Sequence, residues 1–136
     1  MVTQITIELP PHQRGYHIIT QKVMDKLPPL PQSGLLNLFI QHTSAALTIN
    51  ENADPSVKHD IKTFIDELIP DSYAGFTHTI EGPDDMSAHI KSSLFGPSLT
   101  IPILQHKLAL GTWQGIYLCE FRNGATSRKI VATIFH

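Results

Sequence analysis

Between His78 and His89, twelve residues hold three carboxylates, Glu81, Asp84 and Asp85, and two imidazoles. No other stretch of the chain is as dense in metal-ligating side chains. Gly82-Pro83 forces a turn, and Asp84 or Asp85 suits the N-cap of a helix running to Leu94. On that helix Asp85 and His89 stand four residues apart, so they leave from one face and can share one ion or one substrate. A plainer role is also open to these residues. Acids in a first helical turn complement the helix dipole, and His78 suits a solvated loop.

Two further clusters carry similar chemistry. His42-Thr43-Ser44 ends an apolar strand, and Glu51 and Asp54 flank the start of a helix. Two or three imidazoles with a carboxylate suit Zn²⁺ or another borderline divalent metal. Carboxylates with a phosphorylated substrate suit Mg²⁺. Thr43, Ser44 and the N-terminus of the Asp54 helix can take a phosphate through backbone N–H groups. The chain has no HExxH, paired CxxC, GxxxxGK[ST] or GxGxxG pattern, so zinc-protease, zinc-finger, P-loop and dinucleotide readings have no support.

The elements that must position these residues follow from periodicity. Val2 to Leu9 alternates as a half-buried strand, and Tyr16 to Thr20 is expected to pair with it as a hairpin. Gly34 to Gln41 is apolar on both faces and reads as a central strand. His42 continues the parity of Leu36, Leu38 and Ile40, and emerges where a shielded site can form; a hydrogen bond to a neighbouring carbonyl is the simpler alternative. Asp54-Pro55 starts a helix with the stripe Val57, Ile61, Phe64, Ile65 and Leu68 expected in the core. Lys58, Lys62, Asp66 and Glu67 are expected on its wet side. The helix after Asp85 is expected to bury Met86, Ile90 and Leu94 and to stop at Gly96. Leu99 to Ile103, Ile116 to Arg122 and Ser127 to His136 read as strands, with Glu120 a half-buried carboxylate in need of a partner.

The fold class expected is α+β: one domain over residues 1–136, with a curled, largely antiparallel sheet and two main helices on one face. The uncovered face keeps Leu35, Phe39, Tyr117, Cys119 and Phe121, which predicts either a sheet curled on itself or packing between subunits. Net charge is −2, which argues against nucleic acid or an anionic membrane as partner. No apolar run reaches membrane-span length, and no leader pattern opens the chain. A single cysteine, Cys119, in an apolar run reads as a packed thiol in a cytoplasmic protein.

Three long motifs are more specific: Gln41 to Val57, Glu81 to Leu94, and Leu108 to Leu118. Together with Arg14-Gly-Tyr-His17 they resemble the YjbQ-like family, with no departure in the three motifs. The resemblance implies a small α+β protein that assembles as a homotrimer. It also implies a secondary thiamine-phosphate synthase, which joins a hydroxymethylpyrimidine diphosphate to a thiazole phosphate with loss of pyrophosphate. Mg²⁺ on the diphosphate would be held by Asp85, Glu81 and Asp84, with Lys91, Arg122 or Arg128 beside the phosphate oxygens. The residue set is richer in histidine than Mg²⁺ requires. Carried over by position, His42, His78, Asp85 and His89 lead the expected site, and Glu51, Asp54 and Glu81 follow. Trp113 and Gln114 line it, across a subunit boundary in one arrangement.

The resulting expectation is a metal-assisted enzyme on a small phosphorylated metabolite. His42, Asp85, His89, Glu51 and Asp54 would act in catalysis, His78, Asp85, His89 and Glu81 would hold Mg²⁺ or Zn²⁺, and Thr43, Ser44, Trp113 and Gln114 would contact the ligand. The alternative is a non-catalytic metal- or metabolite-binding trimer. A third reading makes the histidines polar plugs between subunits.

Overall fold

The computed structural model describes all of residues 1–136. Its strands are β1 (Val2–Leu9), β2 (Gly15–Ile18), β3 (Ser33–Ile40), β4 (Ala45–Glu51), β5 (Ser98–Leu104), β6 (Lys107–Leu108), β7 (Gln114–Glu120) and β8 (Arg128–Phe135). Its helices are α1 (Thr20–Met24), α2 (Pro55–Leu68) and α3 (Asp85–Phe95). The fold is α+β with every strand pair antiparallel. The curled β-structure divides into a five-stranded sheet, β1-β8-β3-β5-β6, and a three-stranded sheet, β2-β7-β4.

The main core lies between the two sheets. Ile7, Leu9, Leu36, Leu38 and Ile130 from one sheet meet Ala45, Leu47, Ile116 and Leu118 from the other. Burying one such side chain contributes about 1.5–3 kcal/mol, and truncating the fully buried Leu38 to Ala costs roughly 2–5 kcal/mol. The second face of the three-stranded sheet is covered by helices, with Ala88 of α3 packed over Tyr16, Ala46, Tyr117, Cys119 and Phe121. As the middle strand, β7 is therefore buried on both faces, which explains its apolar residues of both parities. Burial pushes the Cys119 thiol up, as suits a packed side chain.

β3 is central, as expected, but three other expectations are corrected. β1 does not form a hairpin with β2. It pairs over its whole length with β8, Val2 with Phe135 through Leu9 with Arg128, whereas β2 has only four residues and pairs with β7. Tyr117, Cys119 and Phe121 are not on the uncovered face; Leu35 and Phe39 are. Both main helices are rotated from their expected faces. α2 buries none of its residues and leaves Phe64 65 % and Leu68 60 % exposed. α3 buries Asp85, Ser87, Ala88 and Lys91, and leaves Leu94 exposed.

The rotation has an electrostatic cause. The Lys91 ammonium is fully buried and needs an anion, which Asp66 of α2 supplies at 2.6 Å. Asp66 also takes Lys62 at 2.7 Å and Arg14 at 3.2 Å, and Arg14 reaches Asp71 at 2.7 Å. Asp66 and Lys62 thus face the protein and not the wet side. No helix is long and apolar enough to cross a membrane.

Candidate functional site

The segment between α2 and α3 delivers His78, and the Gly82-Pro83 turn delivers α3. Gly82 has φ of +121°, and a Cβ there would come within 3.1 Å of Asp84 Oδ1, so both backbone and space favour glycine. Asp84 occupies the N-cap position of α3, yet its side chain makes no cap bond. Its Oδ2 instead accepts from Arg122 Nε at 3.0 Å and from the Asn123 amide at 2.7 Å. This corrects its expected capping role.

Asp85 is the centre of the cluster. Its Oδ1 accepts from Arg122 Nη1 at 2.5 Å. Its Oδ2 lies 2.7 Å from His78 Nε2 and 2.9 Å from His89 Nε2. Burial acts to raise the Asp85 carboxyl, but His78, His89 and Arg122 outweigh it and hold the group below its usual range. Burial is likewise outweighed at Asp84 by the Asn123 amide and Arg122. Arg122 also donates to the Glu81 carbonyl at 3.0 Å, so one guanidinium fixes both aspartates and the turn before them.

One nitrogen of His89 has a defined role. Its Nδ1 is 2.9 Å from the Thr43 carbonyl, which only accepts, so Nδ1 carries hydrogen and Nε2 is left to face Asp85. Ser92 Oγ donates to the same carbonyl at 2.6 Å. A histidine whose second nitrogen is anchored on a backbone carbonyl is the usual support of a metal ligand. Between each imidazole Nε2 and Asp85 Oδ2 there must be a proton or a cation, because both are electron-rich atoms.

The ligand atoms of His78, Asp85 and His89 lie within 4.8 Å of one another. Two nitrogens and one oxygen fit Zn²⁺ or a similar ion, and fit the all-oxygen octahedron of Mg²⁺ poorly. Tetrahedral bonding to zinc separates ligands by roughly 3.3 Å. A zinc ion held by these atoms would need contacts about half an ångström wider than the 2.7 and 2.9 Å seen between Asp85 and the imidazoles. Side-chain exposures of 43 % for His78 and 30 % for His89, against 4 % for Asp85, permit that and leave the outer side open.

Clefts flank the cluster. One of about 460 Å³ is lined by His42, Thr43, His89, Ser92 and Ser93, so His42 does form an opposite wall. Its Nε2 accepts from the Lys129 amide at 2.8 Å, not from a side chain, and burial with nearby Arg128 holds its pKa down. The expected carbonyl partner is thus replaced by an amide, and Nδ1 bears the hydrogen. The other cleft, about 480 Å³, joins His78 to Tyr73, Phe76 and Met86.

The remaining expected site residues fall elsewhere. Glu81 is exposed, and its side chain is outside the ligand cluster. Glu51 is at the far end of β4 from Ala45, roughly 20 Å along the strand. Its carboxylate accepts from the Asp54 amide, and Asp54 caps α2 through the Ser56 amide at 2.9 Å. Gln114 pairs with Glu51, so Gln114 and Trp113 share that distant end. Within one chain, then, Glu51, Asp54, Trp113 and Gln114 do not meet the histidine cluster. Lys91 is buried against Asp66 and is not beside the cluster. Ser44 is buried and bonds Arg128, whose guanidinium also grips Glu120, the carboxylate that needed a partner.

Sequence reasoning missed Arg122 as the clamp of Asp84 and Asp85. The available signal was an arginine in a turn after a doubly buried strand, with two adjacent acids still lacking a fixed cation.

Fold and site together define a small two-sheet α+β protein with a two-histidine, one-aspartate cluster on a helix N-terminus. A profile described as UPF0047 protein YjbQ-like matches residues 4–136, and the chain belongs to that family. It is 50 % identical to the UPF0047 protein YjbQ of Salmonella typhimurium, over 96 % of each chain. It is 56 % identical to a UPF0047 protein of Methanocaldococcus jannaschii, over 76 % of this chain and 71 % of that one. Among solved structures it resembles a YbjQ-like protein of unknown function from Sulfolobus solfataricus, with TM-score 0.85 and 27 % identity over 98 % and 96 % of the two chains. A conserved hypothetical protein of Thermus thermophilus superposes with TM-score 0.84 at 34 % identity, over 96 % and 99 %.

Proposed function

We propose that this protein is a metal-assisted enzyme acting on a small phosphorylated substrate. The observation that carries the reading is the cluster of His78 Nε2, Asp85 Oδ2 and His89 Nε2 within 4.8 Å, supported from behind and open in front. Catalytic metal sites keep three protein ligands and an open position, whereas structural ones are closed. A bound divalent ion there supplies positive charge to a departing phosphate or diphosphate oxygen. Arg122 orients Asp85, the Thr43 carbonyl orients His89, and His42, with its hydrogen on Nδ1, is a donor on the wall of the adjoining cleft.

The resemblance supplies a narrower reaction. In thiamine phosphate synthesis the bond from the pyrimidine methylene to the diphosphate oxygen breaks, and pyrophosphate leaves with the electron pair. A bond from that carbon to the thiazole nitrogen forms. The aromatic cleft beside His78, with Tyr73 and Phe76, suits a flat ring. The exposed apolar residues Val2, Leu35, Phe39 and Phe135 support packing between subunits; the trimeric, cytoplasmic form of that assembly rests on the family resemblance alone.

The test is elemental analysis of untagged protein, paired with turnover of the pyrimidine diphosphate and thiazole phosphate and of a panel of diphosphates and phosphate esters. Wild type should hold about one zinc-like ion per chain, and His78→Ala and His89→Ala should lose both ion and turnover while light scattering still shows the trimer. Full turnover in both variants would sink the proposal. A second reading, a non-catalytic metal- or metabolite-binding protein, draws on the engagement of Asp84, Asp85 and Glu120 by arginine, which leaves none of these three buried carboxylates free as a general base. Stoichiometric metal without turnover of any compound in the panel favours it.

A further inference from the structure

The turn between β7 and β8 walls a third cleft, of about 160 Å³, shared by Ser44, Arg122, Asn123, Ala125, Thr126 and Arg128. Arg128 is 6 % exposed. Its Nε and Nη2 are engaged by Glu120 and Ser44, but Nη1 makes no hydrogen bond within the protein. No buried side-chain polar atom of the protein lacks a partner, so Nη1 is the one edge of this largely buried guanidinium that reaches solvent, and it is free to take an acceptor in the cleft. The turn residues that line the cleft, Gly124, Ala125 and Thr126, have backbone N–H groups with no acceptor in the chain. By contrast, the amides of Arg122 and Asn123 are taken by Glu120 and Asp84. Guanidinium edges and successive free amides around one small cleft are the donor set that recognises a phosphate group.

We infer that this cleft is the phosphate subsite of the protein, and that its affinity depends on the ion at Asp85. The dependence follows from charge. Arg122 and Arg128 face Asp84, Asp85 and Glu120, so the five ionised groups sum to minus one and repel an anion. A divalent ion on Asp85 reverses that sign. Arg122 joins the two places directly, because its Nη1 bonds Asp85 while its side chain lines the cleft. The Thr43-Ser44 dipeptide joins them again: Thr43 holds His89, and Ser44 holds Arg128. Linkage is reciprocal, so phosphate also tightens the metal. The metal dependence rests on the proposed function, and the cleft itself does not.

Calorimetric titration of inorganic phosphate, with acetate as the control anion, into zinc-free and zinc-loaded protein tests this. Zinc-loaded wild type should bind phosphate at least about tenfold more tightly than zinc-free protein, and more tightly than acetate. Ala125→Glu places a carboxylate on the cleft wall at a surface turn, and should weaken phosphate at least about tenfold with zinc content unchanged. Arg128→Lys, which keeps charge but removes the Nη1 edge, should weaken it in the same direction. Unchanged phosphate binding in Ala125→Glu overturns the subsite and leaves the metal reading standing. Phosphate binding no tighter than acetate also overturns it. If wild type takes up no zinc but binds phosphate in a manner sensitive to Ala125→Glu, the cleft stands and the metal reading falls.

Discussion

α3 presents two charged faces with the same four-residue spacing and opposite characters. On one, Asp85 and His89 meet His78 and Arg122; on the other, Ser87 and Lys91 meet Asp71 and Asp66. Around Asp66 and Asp71, three permanent cations (Arg14, Lys62 and Lys91) serve two carboxylates. Around Asp84 and Asp85 a single permanent cation, Arg122, serves two carboxylates, and the other partners are imidazoles. The first network is closed by the protein itself. The second is short of positive charge, and it is the one whose outer side is open. Density of acids does not distinguish the two networks; the balance of permanent charge does.

Ligand removal should separate the two faces most sharply. His89→Ala is expected to reduce zinc affinity by more than the ~10–100-fold typical of an outer-shell partner, measured by competition with a chelating dye. Arg122→Lys, which keeps one charge but loses the fork across Asp84 and Asp85, should fall within that ~10–100-fold range. Next comes Lys91→Met on the opposite face. Replacing a buried ammonium by a thioether should alter stability by less than about 1.5 kcal/mol, and zinc content not at all, because Asp66 keeps Arg14 and Lys62. Zinc loss in Lys91→Met would show that the faces are not independent.

Acid gives the smallest and most graded contrast. At Asp66, Asp71, Asp84 and Asp85, burial acts upward but is outweighed by cations and donors, so each carboxyl is held low. With folded pKa below the unfolded value near 3.9, each contributes stability that is complete above that value and lost as pH falls through the folded one. His42 acts in a separate window. Its folded pKa lies below 6.5, so its contribution is complete above that value and declines as protonation breaks the bond from the Lys129 amide. Urea midpoints should show a slight decline below about pH 6.5 and a steeper one below about pH 4. His42→Asn should remove only the first.

Legibility in the sequence tracked the range of the interaction. The Asp54-Pro55 helix start, the central β3, the cap at Gly96 and the Asp85–His89 pair are settled by neighbours a few residues apart, and they were readable. Lys91 and Asp66 were not, because their burial depends on a partner 25 residues away that turns both helices. The Arg122 clamp spans 37 and 38 residues, and Arg128 reaches Ser44 across 84. β1 looked like half of a hairpin because its true partner lies at the other end of the chain. Glu51 and Asp54 were expected in the site from the motif that carries them, and within one chain the structure engages both in local backbone bonds away from the histidine cluster.

The strand order carries a consequence for synthesis. β8, the last strand, inserts between β1 and β3, which are made first. During vectorial synthesis those two strands wait without the partner that joins them, and their unpaired edges are exposed to other nascent chains. The turn into β8 and the start of that strand bring Arg122, Arg128 and the Lys129 amide to Asp85, Ser44 and His42. A chain stopped before that turn therefore lacks both the strand that joins β1 to β3 and the supports of the candidate site.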